Sequence, residues 1–226
     1  MIIFTIVYPK NDRLAEGAQK AIYDRFGVLP DLSSRRVVQY QERYRLVRAR
    51  NSDVPSIVDS MPYGSYGITT EDIFRDYKLG IRRRGVNISS YSPSLIDSYL
   101  DFGSSKICLL GKQDVEERKD WQMRSSSGFL PAQISIKARL IYTVATKPSY
   151  ENLTYDYIFV PRRRFMARII VRGGELEGLP ELEVADFIVD SVETGKSAEE
   201  NGLIEYGKIM DSRAIWIWGK PPWLSE

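Results

Sequence analysis

The stretch Ala185-Asp186-Phe187-Ile188-Val189-Asp190-Ser191-Val192-Glu193-Thr194-Gly195-Lys196-Ser197 decides how this chain is interpreted. Its first part is a short apolar run that ends at Asp190, which is typical of a buried strand. Its second part, from Glu193 to Ser197, is polar and contains Gly195, which is typical of a tight turn. The stretch therefore predicts a buried strand that leads directly into a turn.

A short helix is predicted to follow this turn. Ser197 and Glu200 have the spacing of a capping box, so the helix can begin at Ala198, and Gly202 ends it about one turn later. A strand, a glycine turn and a helix start in succession make a site for an anion, because free N–H groups point into the turn. The same residues also allow the simpler interpretation of a capped strand-to-helix connection. The additional donors to an anion would be Thr194, Lys196 and Ser197.

Gly195-Lys196-Ser197 also resembles the end of a Walker A motif. That motif requires a second glycine five positions before Gly195, and this chain has Asp190 there. A carboxylate at that position would repel the phosphates of a nucleotide. The Walker A interpretation is therefore rejected.

The composition is that of an ordinary globular protein. The chain has 226 residues, 43% of them hydrophobic and 27% charged, with a net charge of +2. This length fits one large domain or two small ones. Apolar runs stay well below the roughly 20 residues that cross a bilayer, and the apolar start over 1–7 has no basic leader, so a cytoplasmic protein is expected. The single cysteine, Cys108, fits a reducing compartment.

The absence of histidine excludes several kinds of catalysis within this chain. Ser-His-Asp and Cys-His nucleophilic sites both require histidine. Zinc sites that contain histidine are excluded as well, and one cysteine cannot form a cysteine-rich one. The chemistry that remains uses carboxylates, lysine, hydroxyls and backbone groups, together with Mg²⁺ and phosphate.

Strands and helices are predicted to alternate along the chain, which indicates an α/β sheet. Segment 78–87 contains Arg82-Arg83-Arg84 and is predicted to be a solvated basic loop; nucleic-acid binding is the less favoured interpretation because aromatic residues do not accompany the arginines. Strands are predicted over 2–8, 35–39, 44–47, 63–68, 105–110, 139–146, 167–171 and 214–218, and helices over 12–25, from 52 or 53, over 73–77 and over 148–157.

Several of these segments, taken together, resemble ATP phosphoribosyltransferase, the first enzyme of histidine biosynthesis. The opening stretch is similar to that family's phosphoribosyl-diphosphate loop, with conservative replacements at Lys196 and Ser197. The matches keep their order from about residue 8 to 218. They are Lys10, Arg13-Leu14, Arg48, Arg50, Asp53-Val54-Pro55, Gly67-Ile68, Asp72, Leu100-Asp101-Phe102-Gly103, Ala145-Thr146, Gly174, Glu177, Ala185-Asp186, Ile188-Val189-Asp190, Glu193-Thr194-Gly195 and Asn201-Gly202-Leu203.

The chain also departs from the family's pattern. Asp12 and Thr70 stand where the family has glycine, and Arg172 to Glu175 lacks its usual Asn and Ser. The segment Ala145-Thr146-Lys147-Pro148 lacks the family's tyrosine. These departures bear on the adenine-nucleotide site and leave open whether ATP is the acceptor.

The resemblance implies an α/β fold of two lobes, similar to the type II periplasmic binding proteins, with a cleft between the lobes. Residues 1–104 with 204–226 would form lobe I, and residues 105–203 would form lobe II and carry the phosphoribosyl-diphosphate loop. The chain would be the short form of the enzyme. It would form a homo-oligomer, expected to be a dimer, and would work with a regulatory subunit similar to histidyl-tRNA synthetase. Neither a membrane nor nucleic acid is expected as a partner.

The reaction that the resemblance implies transfers phosphoribosyl from phosphoribosyl diphosphate to N1 of ATP and releases pyrophosphate, with Mg²⁺ as cofactor. The alternative is a non-catalytic two-lobed module that binds a phosphorylated metabolite. Asp190 and Glu193 would be catalytic, near the ribose hydroxyls or Mg²⁺. Phosphoribosyl diphosphate would be bound by Asp186, Thr194, Gly195, Lys196 and Ser197. ATP or pyrophosphate would be bound by Lys10, Arg13, Arg48, Arg50, Asp72 and Glu177.

Overall fold

The computed structural model describes residues 4–10, 12–33, 38–41, 43–61, 64–85, 94–113, 115, 142–159 and 167–219. The chain divides into two compact units. Unit 1 consists of Met1–Ser104 and Ser212–Glu226, and unit 2 consists of Ser105–Asp211. The chain therefore leaves unit 1 once and returns to it once.

Unit 1 contains a six-stranded mixed sheet with helices on both faces. The strands are β1 (Phe4–Pro9), β2 (Val38–Gln41), β3 (Tyr44–Ala49), β4 (Ser65–Thr70), β5 (Leu95–Tyr99) and β11 (Ala214–Gly219), and the helices are α1 (Asp12–Phe26), α2 (Val54–Ser60) and α3 (Glu71–Arg83). In the strand order β2-β3-β1-β4-β11-β5, β1 is parallel to β3 and β4, whereas β11 is antiparallel to β4 and β5.

The central strand β1 is buried on both sides, as parallel strands between helices usually are. Ile6 and Tyr8 pack with Ile22 of α1 on one face of the sheet. Val7 packs with Val54 and other residues of α2 on the opposite face. These two apolar layers fix the ends of β1 and β3, where Lys10, Arg48 and Arg50 are found.

Unit 2 contains a five-stranded sheet. The strands are β6 (Ser105–Lys112), β7 (Tyr142–Thr146), β8 (Ala167–Val171), β9 (Phe187–Val192) and β10 (Leu203–Ser212), and the helices are α4 (Glu151–Phe159) and α5 (Lys196–Glu200). In the strand order β10-β6-β9-β7-β8, β7 is parallel to both β8 and β9, and β6 is antiparallel to β9. None of the helices in the described part of the chain is long and apolar enough to cross a membrane.

The α/β class predicted from sequence is confirmed, with one sheet in each unit. The predicted basic loop over 78–87 is wrong in its first half, because α3 continues to Arg83 and buries Ile81. Strands β5 and β10 were not predicted. The return to unit 1 falls at Ser212, whereas the sequence placed it at 204, since most of β10 belongs to the sheet of unit 2.

The only cysteine lies in the middle of β6 and is fully buried. Burial raises the pKa of the Cys108 thiol from 9.0 to about 12, so the thiolate fraction at pH 8 is about one in ten thousand. We expect iodoacetamide at pH 8 to leave the native protein unlabelled and to label it fully in denaturant. The unfolded thiol ionises near pH 9 and the folded one near pH 12, so stability falls as the pH rises across that interval. Rapid labelling of the native protein would contradict this burial.

Glu183 has a left-handed backbone conformation, with φ of 56°. Its N–H is 3.4 Å from the carbonyl oxygen of Pro180, at the end of a short turn. This conformation costs a non-glycine residue about 1–2 kcal/mol, whereas a glycine loses about 0.5–1 kcal/mol more chain entropy on folding. Glu183→Gly is therefore expected to raise the free energy of unfolding by about 0.5–1 kcal/mol in denaturant titrations.

Glu183→Ala is the matched control for this variant, because it removes the carboxylate and keeps the strained Cβ. It is expected to bring no gain in stability. Equal effects of the two substitutions would show that the side chain, and not the backbone conformation, determines the result.

Candidate functional site

The carboxyl ends of the parallel strands in unit 2 lie at one edge of the sheet. Strand β7 connects through α4 to β8 on one side, whereas β9 lies on its other side. The gap between β7 and β9 at this edge is therefore a topological switch point, the place where open α/β sheets usually bind ligands. The residues that follow these two strands are Lys147 after β7 and Glu193 after β9.

The turn after β9 has the geometry that its sequence predicted. Gly195 has φ of 80° and is the residue before α5, so it needs the conformational freedom of glycine. The first bond of α5 joins Glu199 N to Gly195 O at 3.0 Å. The N–H groups of Lys196, Ser197 and Ala198 consequently have no intrahelical acceptor. That of Lys196 makes a long bond of 3.4 Å to the Thr194 hydroxyl oxygen, and all three could donate to an anion.

The predicted capping box is wrong. Ser197 lies inside α5, which begins at Lys196, and the residue before the helix makes no side-chain cap. The Ser197 hydroxyl lies 3.2 Å from Glu177 Oε1, and Glu177 Oε2 accepts a bond from Leu176 N at 3.0 Å. Glu177 was predicted to meet ATP, and the structure places it beside the turn at Gly195. Because α5 spans only five residues, its dipole adds little, and an anion here would be bound mainly by the N–H groups of the turn.

Asp190 lies near the carboxyl end of β9 and is bound by a lysine that follows β7. Lys147 Nζ lies 2.7 Å from each carboxylate oxygen, and Ser191 N donates to Oδ1 at 2.7 Å. The strand register explains this contact. Thr146 at the end of β7 is opposite Val189 of β9, and the next residues along the chain are Lys147 and Asp190. The Asp190 side chain is 4% exposed and that of Lys147 is 32% exposed.

Asp186 does not join this group, although it was predicted to bind substrate. It precedes β9, so the whole strand separates it from the turn, about 20 Å at ~3.3 Å per residue. Its carboxylate accepts a bond from Thr143 N at 2.8 Å. Burial, and to a lesser extent Asp186, raises the pKa of Tyr142 to about 12. Its observed contacts are therefore structural ones at the opposite edge of the sheet.

The predicted cations of unit 1 lie at the carboxyl ends of β1 and β3. Lys10 N donates to Ala49 O at 2.7 Å, which brings Lys10 beside Arg50, and both side chains are exposed. Arg48 is held further in, where Nη1 donates to Leu32 O at 3.1 Å. Burial raises the pKa of Tyr8. Arg48 is opposite Tyr8 in the register of β1 and β3, and its positive charge lowers this pKa in part.

Two other residues of unit 1 that were predicted to bind ATP or pyrophosphate, Asp72 and Arg13, belong to helices and not to the ends of β1 and β3. Asp72 is buried in the first turn of α3, where its carboxylate accepts a bond from the Ser212 hydroxyl at 2.6 Å, so the contacts it makes fix the helix start. Arg13 belongs to α1, but its side chain lies outside the described residues. Thr70, which stands where the family has glycine, accepts a bond from the Asn51 amide at 2.9 Å.

Sequence reasoning missed Lys147. A signal was available, because Lys147 directly follows a buried strand, as Lys10 does, although Lys10 was identified through the family resemblance. Pro148 adds to it, since a proline restricts the preceding residue to an extended backbone, and Lys147 has φ of −73° and ψ of 153°. The partner of Lys147 was not predictable in this way, because Asp190 is 43 residues away in the chain.

The fold places the chain among the open α/β sheet proteins, in which the carboxyl ends of the parallel strands are the usual place for a ligand site. A family model described as "HisG: ATP phosphoribosyltransferase" matches residues 50–224. The chain belongs to the ATP phosphoribosyltransferase family.

Individual relatives agree with this assignment. The chain is 31% identical over 218 residues to an ATP phosphoribosyltransferase from Nitratiruptor sp., covering 96% of this chain and 88% of that protein. It is 40% identical over 142 residues to one from Pyrococcus furiosus, covering 55% and 62%. The ATP phosphoribosyltransferase complex (HisG:HisZ) from Thermotoga maritima contains a similarly folded chain, with a TM-score of 0.67, 18% identity, and coverage of 95% of this chain and 87% of that one.

Proposed function

We propose that this chain transfers the phosphoribosyl group of phosphoribosyl diphosphate to N1 of ATP, the first step of histidine biosynthesis. The bond between ribose C1 and the pyrophosphate oxygen breaks, the bond between C1 and N1 forms, and pyrophosphate leaves. The match to the family model over residues 50–224 is the observation that carries this proposal. The turn at the switch point of unit 2 supports it, because a transferase of this kind needs a phosphate site.

The turn would hold the 5′-phosphate of the substrate. The N–H groups of Lys196 and Ser197 and the hydroxyl of Thr194 are donors. The nearest atom to a Cβ added at Gly195 is Val192 Cγ1 at 4.0 Å, so a phosphate could approach the backbone closely there. Hydrogen bonds from such donors to a charged acceptor contribute about 1.5–3 kcal/mol each. Glu177 and Glu193 can only accept hydrogen bonds when ionised, so they suit the ribose hydroxyls and not the phosphate.

The chemistry needs no histidine. N1 of adenine carries its own lone pair, so it requires little help from a general base. The difficult part is the positive charge that develops on the ribose and the negative charge on the departing pyrophosphate, and fixed charges stabilise both. Asp190 and Glu193 are the carboxylates at the edge of the sheet where the ribose would lie.

Mg²⁺ is the proposed cofactor. Among the described residues, no three Asp, Glu or Cys side chains come together to hold a metal ion. Mg²⁺ usually keeps several waters and is bound by one or two carboxylates and the phosphates of the substrate. The exposed carboxylate of Glu193 would be its protein ligand, and the ion would neutralise the pyrophosphate charge.

ATP is proposed to bind in unit 1. Lys10 and Arg50 are exposed cations at the carboxyl edge of its parallel strands, and this edge has a switch point between β1 and β4. Arg48 and Arg13 would add charge to the same region, given their places in β3 and α1. The phosphates of ATP are complementary to such a cluster.

The chain is proposed to act in the cytoplasm, as a homo-oligomer, and with a regulatory subunit similar to histidyl-tRNA synthetase. The similarity in fold to a chain of the HisG:HisZ complex supports the last point. Purified chain alone could therefore be inactive, and binding is a clearer first test than turnover.

Calorimetric titration with Mg²⁺–phosphoribosyl diphosphate, followed by ATP on the loaded protein, tests the proposal. Binding of both ligands is expected. Binding of the first ligand without ATP would indicate a different acceptor. Binding of neither would contradict the proposal and would favour a module that binds another phosphorylated metabolite.

A further inference from the structure

We infer that Lys147 binds a phosphate oxygen of phosphoribosyl diphosphate, and that Asp190 positions its ammonium group. This inference rests on the proposed function and adds a substrate-binding residue to it. It also assigns a positioning role to Asp190, because both oxygens of its carboxylate accept bonds from the Lys147 ammonium group.

The difference in exposure between the two side chains indicates which of them meets the ligand. The Asp190 side chain is 4% exposed and that of Lys147 is 32% exposed. The carboxylate therefore lies inside unit 2, and the lysine covers it from the solvent side. A substrate that approaches the end of β9 meets the ammonium group first.

The donors of Lys147 are not all used. An ammonium group has three N–H donors and no acceptor. In the described part of the chain, its hydrogen-bond acceptors are the two Asp190 oxygens, each at 2.7 Å. The remaining donor can reach an acceptor outside the pair. Asp190 itself cannot turn freely, because Oδ1 also accepts a bond from Ser191 N at 2.7 Å.

The backbone of Lys147 is held as well. Pro148 follows it, and Tyr150 N donates to Lys147 O at 3.0 Å. The buried hydroxyls of Thr146 and Thr154 lie 2.9 Å apart and join the end of β7 to α4. A lysine with a fixed backbone and a fixed ammonium loses little further freedom when a ligand binds, which favours affinity.

The location of the pair agrees with this role. Lys147 follows β7 and Asp190 lies in β9, so the pair lies at the switch point, on the same edge of the sheet as the turn at Gly195. The other lysine–carboxylate contacts of unit 2 differ. In the pair Lys106–Glu205 both side chains are at least one-third exposed, which is typical of surface pairs with little energetic effect.

The test uses Lys147→Met, which keeps the length of the side chain and removes its charge. Affinity is measured by calorimetry for Mg²⁺–phosphoribosyl diphosphate, for pyrophosphate and for ribose 5-phosphate. Loss of one charge-assisted hydrogen bond is expected to weaken phosphoribosyl diphosphate about 10–100-fold. A loss confined to pyrophosphate would assign Lys147 to the leaving group, and a loss confined to ribose 5-phosphate would assign it to the 5′-phosphate.

Two further variants separate binding from a structural effect. Lys147→Arg keeps the charge and is expected to recover part of the affinity. Lys106→Met removes the lysine of a surface pair in the same unit and is expected to bind like wild type. If Lys147→Met lowers the melting temperature but binds all three ligands with wild-type affinity, the pair is only structural and the inference is wrong. Failure of the wild-type protein to bind phosphoribosyl diphosphate would instead contradict the proposed function.

Discussion

Gly195→Val is expected to abolish measurable binding of phosphoribosyl diphosphate while the chain still folds. Gly195 has φ of 80°, a conformation that a β-branched residue almost never adopts. Valine would force the turn into another shape and move the N–H groups that precede Glu199. Losing two charge-assisted hydrogen bonds of about 1.5 kcal/mol each corresponds to about 100-fold or more in affinity.

The fold is expected to survive this substitution. An added Cβ at Gly195 would meet only Val192 Cγ1, at 4.0 Å, so the cost is local backbone strain and not a clash in the core. Calorimetric titration gives the affinity, and circular dichroism with thermal unfolding gives the state of the fold. Wild-type affinity in this variant would show that the turn does not bind the phosphate.

Gly202→Val is the matched control. Gly202 has φ of 62° with nothing within 4 Å of its Cβ position, and it lies just beyond the other end of α5. The same backbone strain is therefore introduced next to the same helix, but away from the turn. This variant is expected to lose a similar amount of stability and to keep its affinity for phosphoribosyl diphosphate.

Asp190→Asn is expected to lower kcat/KM about 100–1000-fold in assays that include the regulatory subunit. Asparagine has nearly the size of aspartate and keeps one acceptor oxygen. It removes the negative charge of the carboxylate, both of whose oxygens accept bonds from the Lys147 ammonium. This carboxylate lies at the edge of the sheet where the ribose is proposed to bind. The ammonium would lose its fixed position and its countercharge together.

Asp211→Asn controls for the loss of one carboxylate from unit 2. Asp211 is 75% exposed and pairs only with Lys208 in the described part of the chain, so this variant is expected to keep full activity. An Asp190→Asn enzyme with wild-type kcat/KM would mean that the carboxylate serves the fold alone.

Local patterns in the sequence predicted the strand and turn at Gly195, because a buried strand and a glycine turn are each determined by neighbouring residues. They did not predict β10. It is an edge strand in which only the first and last residues are buried, and its sequence lacks the apolar alternation of a half-buried strand. The length of α3 was underestimated because its charged last turn resembles a loop, while Ile81 holds it to the core.

Contacts between distant residues were beyond prediction from local patterns. The capping box at Ser197 failed because Glu177, which is 20 residues away in sequence, takes the Ser197 hydroxyl. The pairing of Lys147 with Asp190 depends on the register of β7 against β9. The family resemblance supplied Asp190 as a candidate, and the strand register determined that Lys147 meets it.

The two crossings of the chain between its units have a consequence for synthesis on the ribosome. Strand β11 lies between β4 and β5 in the sheet of unit 1, yet it follows the whole of Ser105–Asp211 in the chain. The nascent chain therefore completes unit 2 while the sheet of unit 1 still has a gap in it. We expect the later-encoded unit to reach its native state first, and β5 to stay without its neighbour until the final strand leaves the exit tunnel.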